Sequence, residues 1–317
     1  RQISENAFDI RATSRLNRLY VELLKDNPEW GKAERRHDMN HFMARLIFCF
    51  FAEDTDIFIG RGRFTDTIAQ MSVKDSSNTH EVMSTLFLAM NTKPGADRAA
   101  AKIPRWADDF PYVNGGLFKE TLPLADFDVP MRDALLQACA LDWSQISPAI
   151  FGSLFQSIMD DQARRNLGAH YTSEANILKL IKPLFLDELH TEFERVKGHP
   201  HRLFEFHQKL RQLTFLDPAC GCGNFLVISY RELRELELKV LRASHELSAH
   251  RGQLAVDVHG LIGVNVDQFF GIEIEEFPAQ IAQVALWLVD HQMNLRVSVE
   301  FGLYFARIPL TSTPQIR

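Results

Sequence analysis

Cysteine is scarce in this chain of 317 residues, with only Cys49, Cys139, Cys220 and Cys222. Four scattered thiols are too few for a disulfide framework, so a reducing compartment, the cytoplasm, is the expected setting. The Cys220-x-Cys222 pair has no second pair and no histidine at ligand spacing, and His199-Pro200-His201 reads as a loop, so no metal site is expected. Long apolar runs are missing as well. The most apolar stretch, Phe42 to Ala52, contains Arg45 and falls far short of the roughly 20 residues a spanning helix requires, which argues against a membrane partner. No apolar core follows the basic start at Arg1, so a secretory leader is not expected; the lack of an initiator methionine suggests a chain cut from something longer. An excess of positive charge is absent too: 35 Lys and Arg face 41 Asp and Glu, a formal net charge of −6. Proteins that grip duplex DNA usually gather basic residues to neutralise phosphates. Either the target is not nucleic acid, or the main gripping domain lies elsewhere. The small basic groups, Arg61 with Arg63, Arg164 with Arg165 and Arg195 with Lys197, read as solvated helix ends.

What is present is an ordinary globular composition, 46% hydrophobic and 24% charged, in a chain long enough for two domains. Residues 1–150 read as a helical module. Leu16, Leu19, Tyr20, Leu23 and Leu24 fall on one face of a helix over Arg11 to Leu24. Asn40 to Ala52 is apolar on almost every side and predicts a buried helix. Thr79 to Met90 predicts another, closed by the turn signal Asn91-Thr92-Lys93-Pro94-Gly95. Pro104 to Gly116 reads as an ordered loop; Met131 to Ala140 and Pro148 to Asp160 complete the module. From 151 to 317 the pattern changes. Helices are predicted over Ser173 to Leu189 and Leu203 to Leu213. A short apolar strand, Leu213-Thr214-Phe215-Leu216, leads to Asp217-Pro218, and a long helix runs from Asn224 to about Leu247. A second strand over Gln268 to Ile274 leads to a helix from Pro278, a residue suited to a first helical position, to about Met293. Strand, turn, helix, strand, helix opens a doubly wound α/β domain with a parallel sheet.

The segment richest in chemistry is Asp217-Pro218-Ala219-Cys220-Gly221-Cys222-Gly223-Asn224-Phe225-Leu226, directly after a strand and opening a helix. Glycines and small residues let a ligand approach the backbone, and free amides at a helix start favour an anionic group. Asp217, at the strand's carboxyl end, is placed to face a cation. A nicotinamide fingerprint needs a third glycine where Leu226 stands, and no Gly-Lys-Ser/Thr completes a phosphate loop of the Walker type. No Ser/His/Asp order and no zinc-deaminase signature is present.

This ten-residue run resembles motif I of the amino-methylating DNA methyltransferases, with Cys222 in place of a small hydroxyl residue. Gly168-Ala169-His170-Tyr171-Thr172-Ser173 resembles motif X, in which Thr172 or Ser173 caps the next helix and Glu174 suits its first turn. Gly271-Ile272-Glu273-Ile274 resembles motif II, whose carboxylate accepts the ribose hydroxyls. Glu275 and Glu276 compete for that role. Phe151-Gly152-Ser153-Leu154-Phe155 with Arg164 to Thr172, and Leu46 to Asp54, are similar to the fused type IIL restriction–modification enzymes of the MmeI kind. The resemblance implies a helical spacer (1–150) followed by the first part of a Rossmann-like class I methyltransferase domain (151–317). It further implies S-adenosylmethionine as cofactor, held by His170, Tyr171, Thr172, Asp217, Pro218, Ala219, Gly221, Gly223, Asn224, Phe225, Glu273 and Ile274. The implied reaction is methyl transfer to the exocyclic amino group of adenine in duplex DNA, in a parent that also carries nuclease and target-recognition domains; an RNA or protein methyltransferase, or a non-catalytic module, are the alternatives. That family carries an Asn/Asp-Pro-Pro-aromatic motif IV for the flipped base. No Pro-Pro pair occurs anywhere, and Asn27-Pro28-Glu29-Trp30 and Asp109-Phe110-Pro111-Tyr112 read as structural echoes. No catalytic residue is therefore assigned, and the chain alone is not expected to methylate DNA.

Overall fold

The computed structural model describes residues 2–113, 117–123, 125–146, 149, 172–249, 262–301 and 314–316; the side chains of residues 2–9 and 249 lie outside the description. Its described residues fall into two compact units, one reaching residue 150 and the other taking in residue 172 onward.

The first unit is helical: α1 (Gln2–Asp26), α2 (Arg36–Asp54), α3 (Arg63–Met71), α4 (Thr79–Asn91), the short α5 (Ala96–Ala100) and α6 (Arg105–Asp108), and α7 (Val129–Cys139). Its centre is α2, buried at every position from Met39 to Glu53. A helix apolar all round belongs inside a core, and the neighbours are rings: Trp143 stacks on Phe50 at 5.1 Å, and Phe58 meets Phe110 edge-on at 5.0 Å. The one cation in this run, Arg45, is 2% exposed and donates to the carbonyls of Leu117 and Glu120, both at 2.7 Å. Arg98, also buried, donates to the carbonyls of Thr92, Ala89 and Phe110 and holds the loop after α4 closed. Such buried cations persist because backbone carbonyls accept from the guanidinium. Helix α1 starts nine residues before its predicted start and ends two residues past its predicted end, and the ordered loop expected from Pro104 contains α6. The helix expected over Pro148 to Asp160 lies outside the described residues, apart from Ala149.

The second unit begins with α8 (Glu174–Ile181), a π-helical turn (Lys182–Leu186), α9 (Asp187–Val196) and α10 (Pro200–Gln212). The sequence predicts one helix ending at Leu189. Pro183 has no amide to donate, and the chain absorbs the lost bond in a wider turn and stays helical to Val196. Then come β1 (Phe215–Asp217), α11 (Asn224–Ala249), β2 (Phe269–Gly271), α12 (Glu276–Glu300) and β3 (Gln315–Ile316). The three strands form a parallel sheet in the order β1-β2-β3, with Phe215 opposite Phe269 and Asp217 opposite Gly271. Both strands are shorter than their apolar runs predict, and Glu273 lies beyond the end of β2. Helix α12 starts at Glu276, so Pro278 is its third residue rather than its first; its missing N–H still costs nothing there, since the first four positions of a helix have no acceptor within it.

On one sheet face Phe215 stacks on Phe269 at 4.8 Å, and Tyr230 of α11 meets Phe269 edge-on. Beneath it lies a buried polar network. Tyr230 donates to Asp290 at 2.6 Å, and Arg234 donates to Asp290 at 2.9 Å and to Asn294 at 2.8 Å, joining α11 to α12. Glu237 accepts from the amides of Gly263 and Val264 and bonds His207, which ties α10 and the approach to β2 to the same helix. This network fixes where the carboxyl ends of β1 and β2 emerge.

Candidate functional site at the carboxyl ends of the strands

At the end of β1 the chain makes two tight reversals, at Gly221 (φ 53°) and Gly223 (φ 79°), before entering α11. Left-handed backbone at both positions favours glycine. The reasons for the two glycines differ in space. A Cβ on Gly223 would fall 2.7 Å from the Cβ of Ala282, so the bare backbone lets the start of α11 approach α12. A Cβ on Gly221 would meet nothing within 4 Å. Gly221 therefore borders open space, the room a ligand needs. The turn is closed by Gly223 N–H to the Cys220 carbonyl at 2.8 Å, and α11 begins with Val227 N–H to the Gly223 carbonyl at 2.8 Å.

The loop is stitched to the end of β2. Ile272 donates to the carbonyl of Asp217 and Cys220 donates to the carbonyl of Ile272, each at 3.0 Å. Asp217 accepts the amide of Ala219 at 3.1 Å, an Asx-type turn that carries the chain through Pro218. Glu273 accepts the amide of Gly221 at 2.8 Å through one oxygen and that of Glu275 at 3.0 Å through the other. A carboxylate has about four lone-pair sites, so both oxygens keep capacity for two further donors. The sequence assigns Glu273 to a ligand; the structure adds that it holds the glycine loop, a role visible only once the two strand ends lie side by side. Glu275 precedes α12 and is exposed, and Glu276 accepts from Gln280 within the same helix. Gly271 belongs to this assembly too, since a Cβ there would fall 2.7 Å from both Cys220 Sγ and Ile316 Cδ1. A glycine inside an apolar strand was the available signal.

Around these carboxylates the surface is apolar. Ile274 is 95% exposed, Leu216 62% and Ile272 50%. Pro218 and Ala219 are exposed beside them, and Phe225 is half-buried in the first turn of α11. Asn224, the first residue of that helix, has a buried side-chain oxygen without a hydrogen-bond partner. Both thiols are held protonated: burial first, then the carboxylates of Asp217 and Glu273, push Cys220 up to about 12, and burial first, then Glu273 and Cys220, push Cys222 up to about 12. A thiol so shifted is a poor nucleophile at neutral pH.

Of the motif X residues, His170 and Tyr171 lie outside the described residues. Thr172 is described and half-buried, and Ser173 precedes α8 without a side-chain capping bond; its carbonyl accepts the amides of Asn176 and Ile177. Glu174 pairs with Arg231 of α11 at 2.7 Å, so its carboxylate is engaged between helices. Of the basic groups, Lys197 pairs with Glu194 and Arg63 with Asp109. Both echoes of motif IV sit in packing positions: Asn27 clamps the carbonyls of Leu23 and Asp126, and Trp30 and Phe110 are core residues.

The donor set, two carboxylates at adjacent parallel strand ends, a glycine loop bordering open space and exposed apolar residues alongside, matches what a nucleoside bearing a cation requires. The model of the MmeI DNA-methyltransferase domain matches residues 193–317, and that of the MmeI helicase spacer domain matches residues 37–118. DNA methyltransferase A of Bacillus subtilis is 39% identical over 291 residues, covering 92% of this chain and 31% of that protein. A putative type II restriction enzyme and methyltransferase of Methanocaldococcus jannaschii is 20% identical over 313 residues, covering 82% of this chain and 25% of that protein. The solved structure of the type IIL restriction–modification enzyme MmeI in complex with DNA is 57% identical, with a TM-score of 0.81, covering 97% of this chain and 39% of that one. The chain thus spans between a quarter and two fifths of the length of these relatives.

Proposed function

This chain belongs to the MmeI family through both its spacer and its DNA-methyltransferase segments, and on that premise we propose that it carries the S-adenosylmethionine site of a DNA methyltransferase acting on the exocyclic amino group of adenine in duplex DNA. The carrying observation is the bond from Glu273 to the Gly221 amide, which joins the two strand ends into one cradle. Bound S-adenosylmethionine supplies an activated methyl group on a sulfonium centre. The chain's residues bind and orient. Glu273 takes the ribose hydroxyls with its remaining lone pairs. Asp217 offers negative charge toward the cationic methionine portion. Gly221, Gly223, Ala219 and Pro218 keep the loop low enough for close approach, and Asn224 and Phe225 form the helix start beside it. Ile274, with its exposed side chain, would offer an apolar surface to the cofactor's adenine. The resemblance to motif X assigns His170, Tyr171 and Thr172 to the carboxylate end of the cofactor.

We read the second unit as the opening of a Rossmann-like class I fold, since a β1-β2-β3 parallel order with helical crossovers is one half of a doubly wound sheet. Residues 1–150 serve as the spacer, the site is cytoplasmic, and DNA, nuclease and target-recognition contacts belong to the parent enzyme. The test is calorimetric titration of S-adenosylmethionine into the chain and its Asp217→Ala and Glu273→Ala variants, with folding monitored by thermal melting. Loss of binding in folded variants supports the assignment; unchanged affinity in both sinks it.

A further inference from the structure

A second cluster of ligand-bearing side chains lies in the helical unit, far in sequence from the nucleotide loop. We propose that His37, His41 and Glu120 form a binding site for a divalent transition-metal ion of the zinc class. One ligand atom from each lies within 4.8 Å of the others. His37 Nε2 stands 2.7 Å from a Glu120 carboxylate oxygen, and the two imidazoles are 4.2 Å apart between centroids. The geometry follows from the fold. His37 and His41 are four residues apart in α2 and so share a helix face. One further turn along that face, Arg45 donates to the backbone carbonyls of Leu117 and Glu120, which pins the third ligand's chain against the helix. The Arg45 guanidinium also lies over the rings of Phe87 and Phe118, each 5.5 Å away, and its charge bears on both His41 and Glu120.

Two imidazoles and one carboxylate are a zinc donor set, and a site with three protein ligands leaves a fourth position open. Here His41 is buried while His37 and Glu120 are about half exposed, at 46% and 50% of their side chains, so the open position faces solvent. A tetrahedral ion with bonds of about 2.0–2.1 Å sets its ligand atoms about 3.3 Å apart, within reach of rotations of the two exposed side chains. The His37-x3-His41 spacing is the available sequence signal, and the third ligand is not local to it. Glu120 lies 83 residues from His37 and reaches it only through the path Arg45 imposes.

The test uses the 317-residue chain, stripped with chelator and titrated with zinc alone, and with cobalt as a spectroscopic probe. One-to-one binding with a micromolar or tighter dissociation constant is expected, with cobalt giving visible ligand-field bands and no thiolate charge-transfer band. His37→Ala and Glu120→Gln, both at half-exposed positions, should melt like the parent without metal and bind zinc weaker by about tenfold or more. No binding up to millimolar zinc, binding that survives both substitutions, or a thiolate band assigning the metal to cysteine would each overturn the proposal.

Discussion

At Gly221 and Gly223, two residues of one loop serve different ends, and substitution separates them. Gly223→Ala combines a positive φ with a contact 2.7 Å from Ala282 Cβ, between two helices that cannot part without cost. Overpacking and left-handed strain together should destabilise the chain by about 2–4 kcal/mol, read as a fall in the denaturant midpoint. Gly221→Ala meets no atom, so only the left-handed penalty of about 1–2 kcal/mol applies. Its new methyl group, however, stands in the space assigned to cofactor, and S-adenosylmethionine affinity should fall more than stability does. Equal effects of the two substitutions on both measurements would show that the loop is a turn and no more. The sequence announced these glycines through their spacing, but not which one faces a helix and which faces open space. That division depends on α12, which arrives some 60 residues later.

Elements were legible to the extent that their pattern was local. Helix α2 announced itself by being apolar on every side, and α11 and α12 by their periodic runs after each strand. The π turn was not legible, since a proline inside a helical pattern ordinarily ends it and here only widens it. Nor was the network under the sheet, because Arg234, Glu237 and Asp290 look like surface charges in sequence and are 1%, 1% and 5% exposed in the fold. Glu237 reaches the most distant parts of the network, holding His207 and the amides of Gly263 and Val264, with Arg234 3.3 Å away. Glu237→Ala should therefore cost about 3–5 kcal/mol, the range for removing one partner of a buried ion pair, and lower the urea midpoint accordingly. A change below about 1 kcal/mol would mean the network adds little to the joining of α10, α11 and the β2 approach.

For the whole molecule, cofactor binding is the role proposed for this chain, and target chemistry needs groups that its sequence does not show. Holding a target amino group in line with a methyl donor needs acceptors and a stacking surface, and positioning of that kind can be worth on the order of 7 kcal/mol or more of barrier. The 317 residues contain no Asn/Asp-Pro-Pro-aromatic segment. Labelled methyl transfer from S-adenosylmethionine to mixed-sequence duplex DNA should therefore stay at background for this chain, and turnover would show the active site to be misplaced. The claim on which everything else depends is narrower: a nucleoside cofactor sits at the joined ends of β1 and β2. Amide-resolved NMR of the labelled chain, titrated with S-adenosylhomocysteine, tests it most directly. The amides of Ala219, Gly221, Asn224, Glu273 and Ile274 should shift together with a single binding curve, and Glu273→Gln should weaken it. Shifts confined to other residues, or none at saturating ligand, would contradict it.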